Sequence, residues 1–106
     1  MENDKEYIHL SDTRREMRKF AKRIDKIVKD EIRAQDLIQT GNMLRSIKSK
    51  VTVGSMDQMN VEVDAIEYFK YINGDFKVLD KAFRSAAYKS VQLDFIIFTN
   101  RFKSNK

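Results

Sequence analysis

Ile47-Lys48-Ser49-Lys50-Val51-Thr52-Val53 and Val61-Glu62-Val63-Asp64 are the stretches on which the fold turns. In both, apolar and polar residues alternate, the period of a strand with one buried face. The segment between them, Gly54-Ser55-Met56-Asp57-Gln58-Met59-Asn60, has the polar and glycine content of a hairpin loop, so two antiparallel strands are expected. On their outer face Lys48, Lys50 and Thr52 sit across from Glu62 and Asp64, an opposite-charge ladder worth roughly 0.2–1 kcal/mol per pair.

Upstream the period changes. From Leu10 to about Ile38 the apolar residues, including Met17, Phe20, Ile24, Ile27, Val28 and Ile32, fall mostly three or four apart, the stripe of an amphipathic helix. Ser11 or Asp12 is the expected N-cap, which starts the helix near Thr13. Gly41 is expected to end the run in a left-handed conformation; equally, Thr40 can cap a short second helical turn through Leu44. Downstream, the aromatic-rich stretch Ile66 to Phe76 suggests a third strand or a strand-like turn packed on the hairpin. Leu79, Ala82, Phe83 and Ala86 then return to helical spacing, so a second helix is expected from Val78 or Leu79 through Val91. The run Leu93-Asp94-Phe95-Ile96-Ile97-Phe98 fits either a helical extension or a strand, and residues 1–9 and 100–106 read as flexible tails.

The expected fold is therefore α+β. A long N-terminal helix and a C-terminal helix pack on one face of a small, mostly antiparallel sheet of three to four strands, in a single domain over 1–106. A chain of 106 residues holds one compact core and is short for two. No stretch reaches the roughly 18 apolar residues of a membrane span, and the polar start Met1-Glu2-Asn3-Asp4-Lys5-Glu6 has no secretory signature. The absence of cysteine removes disulfides and thiolate metal sites.

Nothing in the sequence assembles catalytic chemistry. His9 is the one imidazole and has no nucleophile around it, while Asp57, Asp64, Glu67 and Asp75 are scattered as solvated carboxylates are. No enzyme activity, cofactor, metal site or small-molecule substrate is expected. The net charge of +5, from 21 Lys and Arg against 16 Asp and Glu, permits an acidic partner. Arg14, Arg15, Arg18, Lys19, Lys22 and Arg23 lie within about three helical turns and can meet phosphates or an acidic protein. Phe95, Ile96, Ile97, Phe98 and Phe102 form a large apolar surface for so small a domain. Cover by a second subunit or partner is expected, the alternative being closure of the chain's own core against the first helix.

Two short motifs flank the hairpin: Thr40-Gly41-Asn42-Met43-Leu44-Arg45-Ser46-Ile47 and Ile66-Glu67-Tyr68-Phe69-Lys70-Tyr71-Ile72-Asn73-Gly74. Their order, between a long helix and a C-terminal helix, resembles the small tail-completion, or tail-component, proteins of long-tailed bacteriophages. Thr40, Gly41, Leu44, Arg45 and Ser46 match that family's T-G-x-L-R-x-S motif, with one extra residue between glycine and leucine and none between arginine and serine. Glu67, Tyr68, Tyr71, Ile72 and Gly74 match its Y-A-x-Y-[VL]-E-x-G motif, with the glycine one residue early, and Asp75-Phe76-Lys77-Val78-Leu79 stands in place of a proline-containing approach to the last helix. The resemblance implies a structural virion protein of the neck or upper tail, assembled in the host cytoplasm. It would form a homo-oligomeric ring that meets connector or tail proteins. The alternative is a small basic protein that binds nucleic acid non-specifically through the first helix. On the residues alone, Leu44 and Ile47 are expected to anchor the helix-to-strand junction, Arg45 to point outward, and of Tyr68 and Tyr71 one ring to enter the core while the other lies at a surface or subunit seam.

Overall fold

The computed structural model describes residues 10–37, 41–54 and 58–104. Seven elements follow in order: α1 Leu10–Ala34, α2 Gly41–Ser46, β1 Lys48–Val53, β2 Met59–Asp64, α3 Glu67–Phe76, α4 Val78–Arg84 and α5 Ala86–Ser104. The architecture is α+β and mostly helical. Around α1 pack β1 on one side and α4 and α5 on the other, giving an elongated body of 55 × 23 × 20 Å.

The stripe read from the sequence is the core. Ile24, Val28 and Ile32 of α1 are fully buried with Met43, Ile47, Val78, Val91 and Phe95, and each such side chain contributes about 1.5–3 kcal/mol on leaving water. Tyr88 is buried too, and burial pushes its hydroxyl pKa up. The folded chain then holds a proton that the unfolded chain releases, so stability falls as pH rises above the ordinary tyrosine range of about 10. Urea titrations at pH 8 and 11 should show that fall, and Tyr88→Phe should make it shallower.

Helix boundaries differ from the expected ones for identifiable reasons. Ser11 and Asp12 lie within α1, whose described part begins at Leu10, rather than ahead of it. Gly41 does not end α1. Asp36 does, in a left-handed conformation at φ 54, with its N–H donating to Arg33 O at 3.0 Å and the Leu37 N–H to Ile32 O at 3.3 Å. Those two bonds are the Schellman pattern, and aspartate is among the non-glycine residues that tolerate it. Gly41 instead opens α2, close to the alternative reading of a short turn through Leu44. Thr40 and residues 1–9 lie outside the described residues.

The described sheet has two strands, not three or four, paired as Lys48↔Asp64, Lys50↔Glu62 and Thr52↔Asn60. The third strand expected over Ile66 to Phe76 is the helix α3. Its buried residues, Phe69 and Ile72, are three apart, so the packing period overrides the β-propensity of the aromatics. Gly74 lies within α3, no glycine has a positive φ among the described residues, and a Cβ at Gly74 would meet nothing within 4 Å. Gly74→Ala should therefore raise stability by about 0.5–1 kcal/mol, read as a higher thermal midpoint.

α3 ends at Lys77, left-handed at φ 54, whose N–H donates to Asn73 O at 2.8 Å. The Asn73 side chain accepts the Leu79 N–H at 2.7 Å, so one residue closes α3 and opens α4. The helix expected to run unbroken to Val91 is divided at Ser85. There Ser85 Oγ donates to Ala82 O at 2.6 Å and accepts the Tyr88 N–H at 3.1 Å, an N-cap for α5. The run Leu93–Phe98 is helical, and the helix continues to Ser104 through residues read as part of a tail.

Candidate interaction surfaces

The two motifs flanking the hairpin meet in space. Ser46, the last residue of α2, donates from Oγ to Met43 O at 2.6 Å and accepts the Ile66 N–H at 3.1 Å. One hydroxyl thus joins the base of β1 to the entry of α3. Within the first motif Met43 and Ile47 are the buried anchors while Leu44 is half-buried; Arg45 points outward and donates to Asn42 Oδ1 at 2.6 Å. Ser46→Ala removes the shared acceptor and should lower stability by about 1 kcal/mol. Denaturant titration would read the loss, and hydrogen exchange should quicken at the Ile66 amide.

The second motif is divided between core and solvent. Phe69 and Ile72 are buried, whereas Glu67, Tyr68, Tyr71 and Gly74 are exposed. The expected division of the two tyrosines is corrected: neither ring is in the core, and Tyr71 is 67% exposed. Their helix turns its Phe69 and Ile72 face inward, leaving both tyrosines on the outer side. Tyr68 and Phe76 flank a cleft of about 390 Å³ that reaches Leu37 at the end of α1.

The C-terminal run is likewise split by helical geometry. Phe95 is 1% exposed and stands edge-on to Phe20 with ring centroids 5.5 Å apart, and half-buried Phe98 meets the same ring at 6.2 Å. Both close the chain's own core, so Phe95 is not available as a subunit contact. Ile96 and Ile97 remain half exposed, joined by Leu93, which the sequence did not single out for exposure. Phe102 falls in α5, and its side chain is outside the described residues.

The basic residues of α1 do not share one face. Arg23 turns toward α5 and pairs with Asp94 at 2.8 Å, and Lys19 pairs with Glu16 at 3.2 Å. Arg14 and Arg18 lie on the opposite flank, beside β1, where they and Met17 border an apolar groove of about 490 Å³. Arg15 and Lys22 are exposed. Nearer the middle of α1, Asp25 Oδ1 accepts the Ser49 N–H at 2.6 Å, a tie between helix and strand that the sequence did not announce. Asp25 reads as one more helix-surface charge, since its partner is a backbone group that carries no side-chain signal. At the far end of α1, Lys26 and Arg33 both bond Asp30 and hold its carboxyl below the usual range.

Among the described residues no three metal-ligating side chains cluster, and no helix is long and apolar enough to cross a membrane. The surfaces that stand out are therefore the exposed apolar patches of α3 and α5 and the groove between α1 and β1. Compared with protein-family models, with curated proteins and with solved structures, the chain matches none of them.

Proposed function

We propose that this chain is a structural virion protein of a long-tailed bacteriophage, acting in tail completion or head–tail joining as a ring of identical subunits in the neck or upper tail. The observation that carries the reading is the junction at Ser46. The two motifs that carry the resemblance adjoin through its hydroxyl, and along α3, the helix that starts there, Tyr68, Tyr71 and Phe76 are exposed. Large aromatics left outside a small core fit a protein whose remaining burial comes from neighbours. A ring of identical subunits needs two different complementary patches per subunit. The aromatic side of α3 and the Leu93–Ile97 side of α5 are exposed apolar patches left for the connector or tail proteins that such a ring meets.

The test is mass spectrometry and electron microscopy of virions from the phage that encodes the chain. The expected result is this protein in particles, as a ring at the head–tail junction, with tailless or detached particles when its gene is deleted. Intact infectious virions lacking the protein would end the proposal. Tyr71→Ala should leave the purified subunit folded, since Tyr71 is exposed, and should reduce its incorporation into particles.

A second reading rests on Arg14 and Arg18, which stand exposed on the flank facing β1. A basic flank of this kind can bind DNA or RNA with an affinity that falls steeply with salt. Arg14→Glu/Arg18→Glu/Lys22→Glu would abolish such binding, and fluorescence anisotropy with a duplex and a single strand at two salt concentrations would reveal it.

A further inference from the structure

Among the described residues the main chain of the hairpin is satisfied on the inside, and of its outward-facing N–H groups on β1 only that of Ser49, taken by Asp25, has a partner. Gly54 N–H donates to Gln58 O at 2.7 Å, which makes that facing pair a hydrogen-bonded one. In an antiparallel ladder such pairs alternate. Counting back, Thr52, Lys50 and Lys48 direct their N–H and C=O groups at Asn60, Glu62 and Asp64, while Ser49, Val51 and Val53 direct theirs away from β2. The bond from the Ser49 N–H to Asp25 agrees with this alternation. By the same count Met59, Val61 and Val63 present their groups along the far edge of β2. Among the described residues no further strand covers either edge, and no bond is made by the N–H groups of Val51 and Val53. Beside those two residues lies the groove bordered by Arg14, Met17 and Arg18.

We propose that the open edge of β1 receives the open edge of β2 from a second copy of this chain, so that hairpins join head to tail into one antiparallel sheet running between subunits. Charge selects that pairing over the others. The outer face of β1 carries Lys48 and Lys50, and that of β2 carries Glu62 and Asp64, all exposed. Setting β1 beside β1 would place lysine against lysine, and β2 beside β2 would place carboxylate against carboxylate; like charges side by side destabilise a sheet. Only the unlike edges bring opposite charges together, with Arg14 and Arg18 adding to the positive side. On the inner face Met59, Val61 and Val63 would continue the row of Val51 and Val53 over the groove, apolar against apolar. Sheet extension supplies affinity through main-chain bonds and specificity through alternate side chains. The contact is heterologous, so it closes into a ring or runs on as a filament. It names the subunit contact for the ring reading and rests on that reading only for closure.

The test uses the full chain in sedimentation velocity and light scattering from micromolar to near-millimolar concentration. Wild type should associate as concentration rises. Val53→Pro removes an N–H that points away from β2 and leaves the hairpin ladder intact, so it should weaken association at least tenfold while keeping the wild-type helical circular dichroism. The fourfold exchange Lys48→Glu/Lys50→Glu/Glu62→Lys/Asp64→Lys keeps opposite charges facing each other within each hairpin. It should associate with itself and fail to co-assemble with wild type; if Val53→Pro does not fold, this exchange decides alone. A chain that stays monomeric throughout overturns the proposal, as does free mixing of exchanged and wild-type subunits. Free mixing would leave the ring reading standing on another contact. Filaments that form only with matched edges would uphold the contact and count against closure.

Discussion

Phe95→Ala is expected to remove about 3–5 kcal/mol of stability, the range for deleting a buried aromatic ring and leaving its cavity. Phe95 is buried in α5 and packs edge-on against Phe20 of α1. The lost ring therefore separates the two longest helices, and edge-to-face aromatic pairs add about 0.5–1.5 kcal/mol beyond their area. Small domains have about 5–15 kcal/mol in total, so much of the margin would go. Urea denaturation followed by circular dichroism should show a large drop in the transition midpoint with little change in its slope. Phe95→Leu, which refills part of the space, should cost less than half as much. Ile96→Ala and Ile97→Ala, one and two positions along, should change monomer stability by about 1 kcal/mol or less, because both side chains are already half in water. That contrast separates core from candidate contact residues within one apolar run.

Asp25→Ala should be the most costly polar substitution, at about 1.5–3 kcal/mol, the worth of a hydrogen bond to a charged group. Its carboxylate accepts the Ser49 N–H at 2.6 Å in a half-buried position where α1 meets β1. Removing it leaves a backbone donor unpaired at the strand edge and a gap at the helix–strand contact. Amide exchange at Ser49 should accelerate far more than at Lys50, whose N–H faces β2. Asp25→Asn keeps an acceptor oxygen and should recover roughly half of the loss. Equal protection at Ser49 in wild type and Asp25→Ala would contradict this assignment.

What could be read in the sequence was whatever side-chain periodicity governs. The α1 stripe predicts its buried residues because a helix this long can only bury one face. The hairpin, and the facing of its lysines and carboxylates, follow from period two plus a glycine loop; the register does not, since Met59 and Asn60, read as loop, belong to β2 and set Lys48 against Asp64 and Lys50 against Glu62. The errors arise where backbone bonding or tertiary packing decides. Ile66–Phe76 is rich in strand-forming aromatics, yet burial of Phe69 and Ile72 against the core requires helical spacing. Asp36 and Lys77 end helices without glycine, and Ser85 starts one in the middle of an apolar period. Of the surfaces, the exposed tyrosines and the open strand edge depend on which neighbours are missing, something a one-dimensional pattern does not encode. Arg23 and Arg14 look equivalent on a charge count; only the packing of α5 separates the ion-paired one from the one beside the groove.

The hydroxyl of Ser46 bears on how the chain folds as well as on what it presents. It ties residue 46 to residue 66, so the hairpin between them is closed at its base by a contact that costs little loop entropy. Local contacts of this kind can form before the distant pairing of α1 with α5, which must bring Phe20 to Phe95. The segment 43–69 is thus expected to act as an early nucleus. Destabilisation at Ser46 should appear mainly as slower refolding, and destabilisation at Phe95 mainly as faster unfolding.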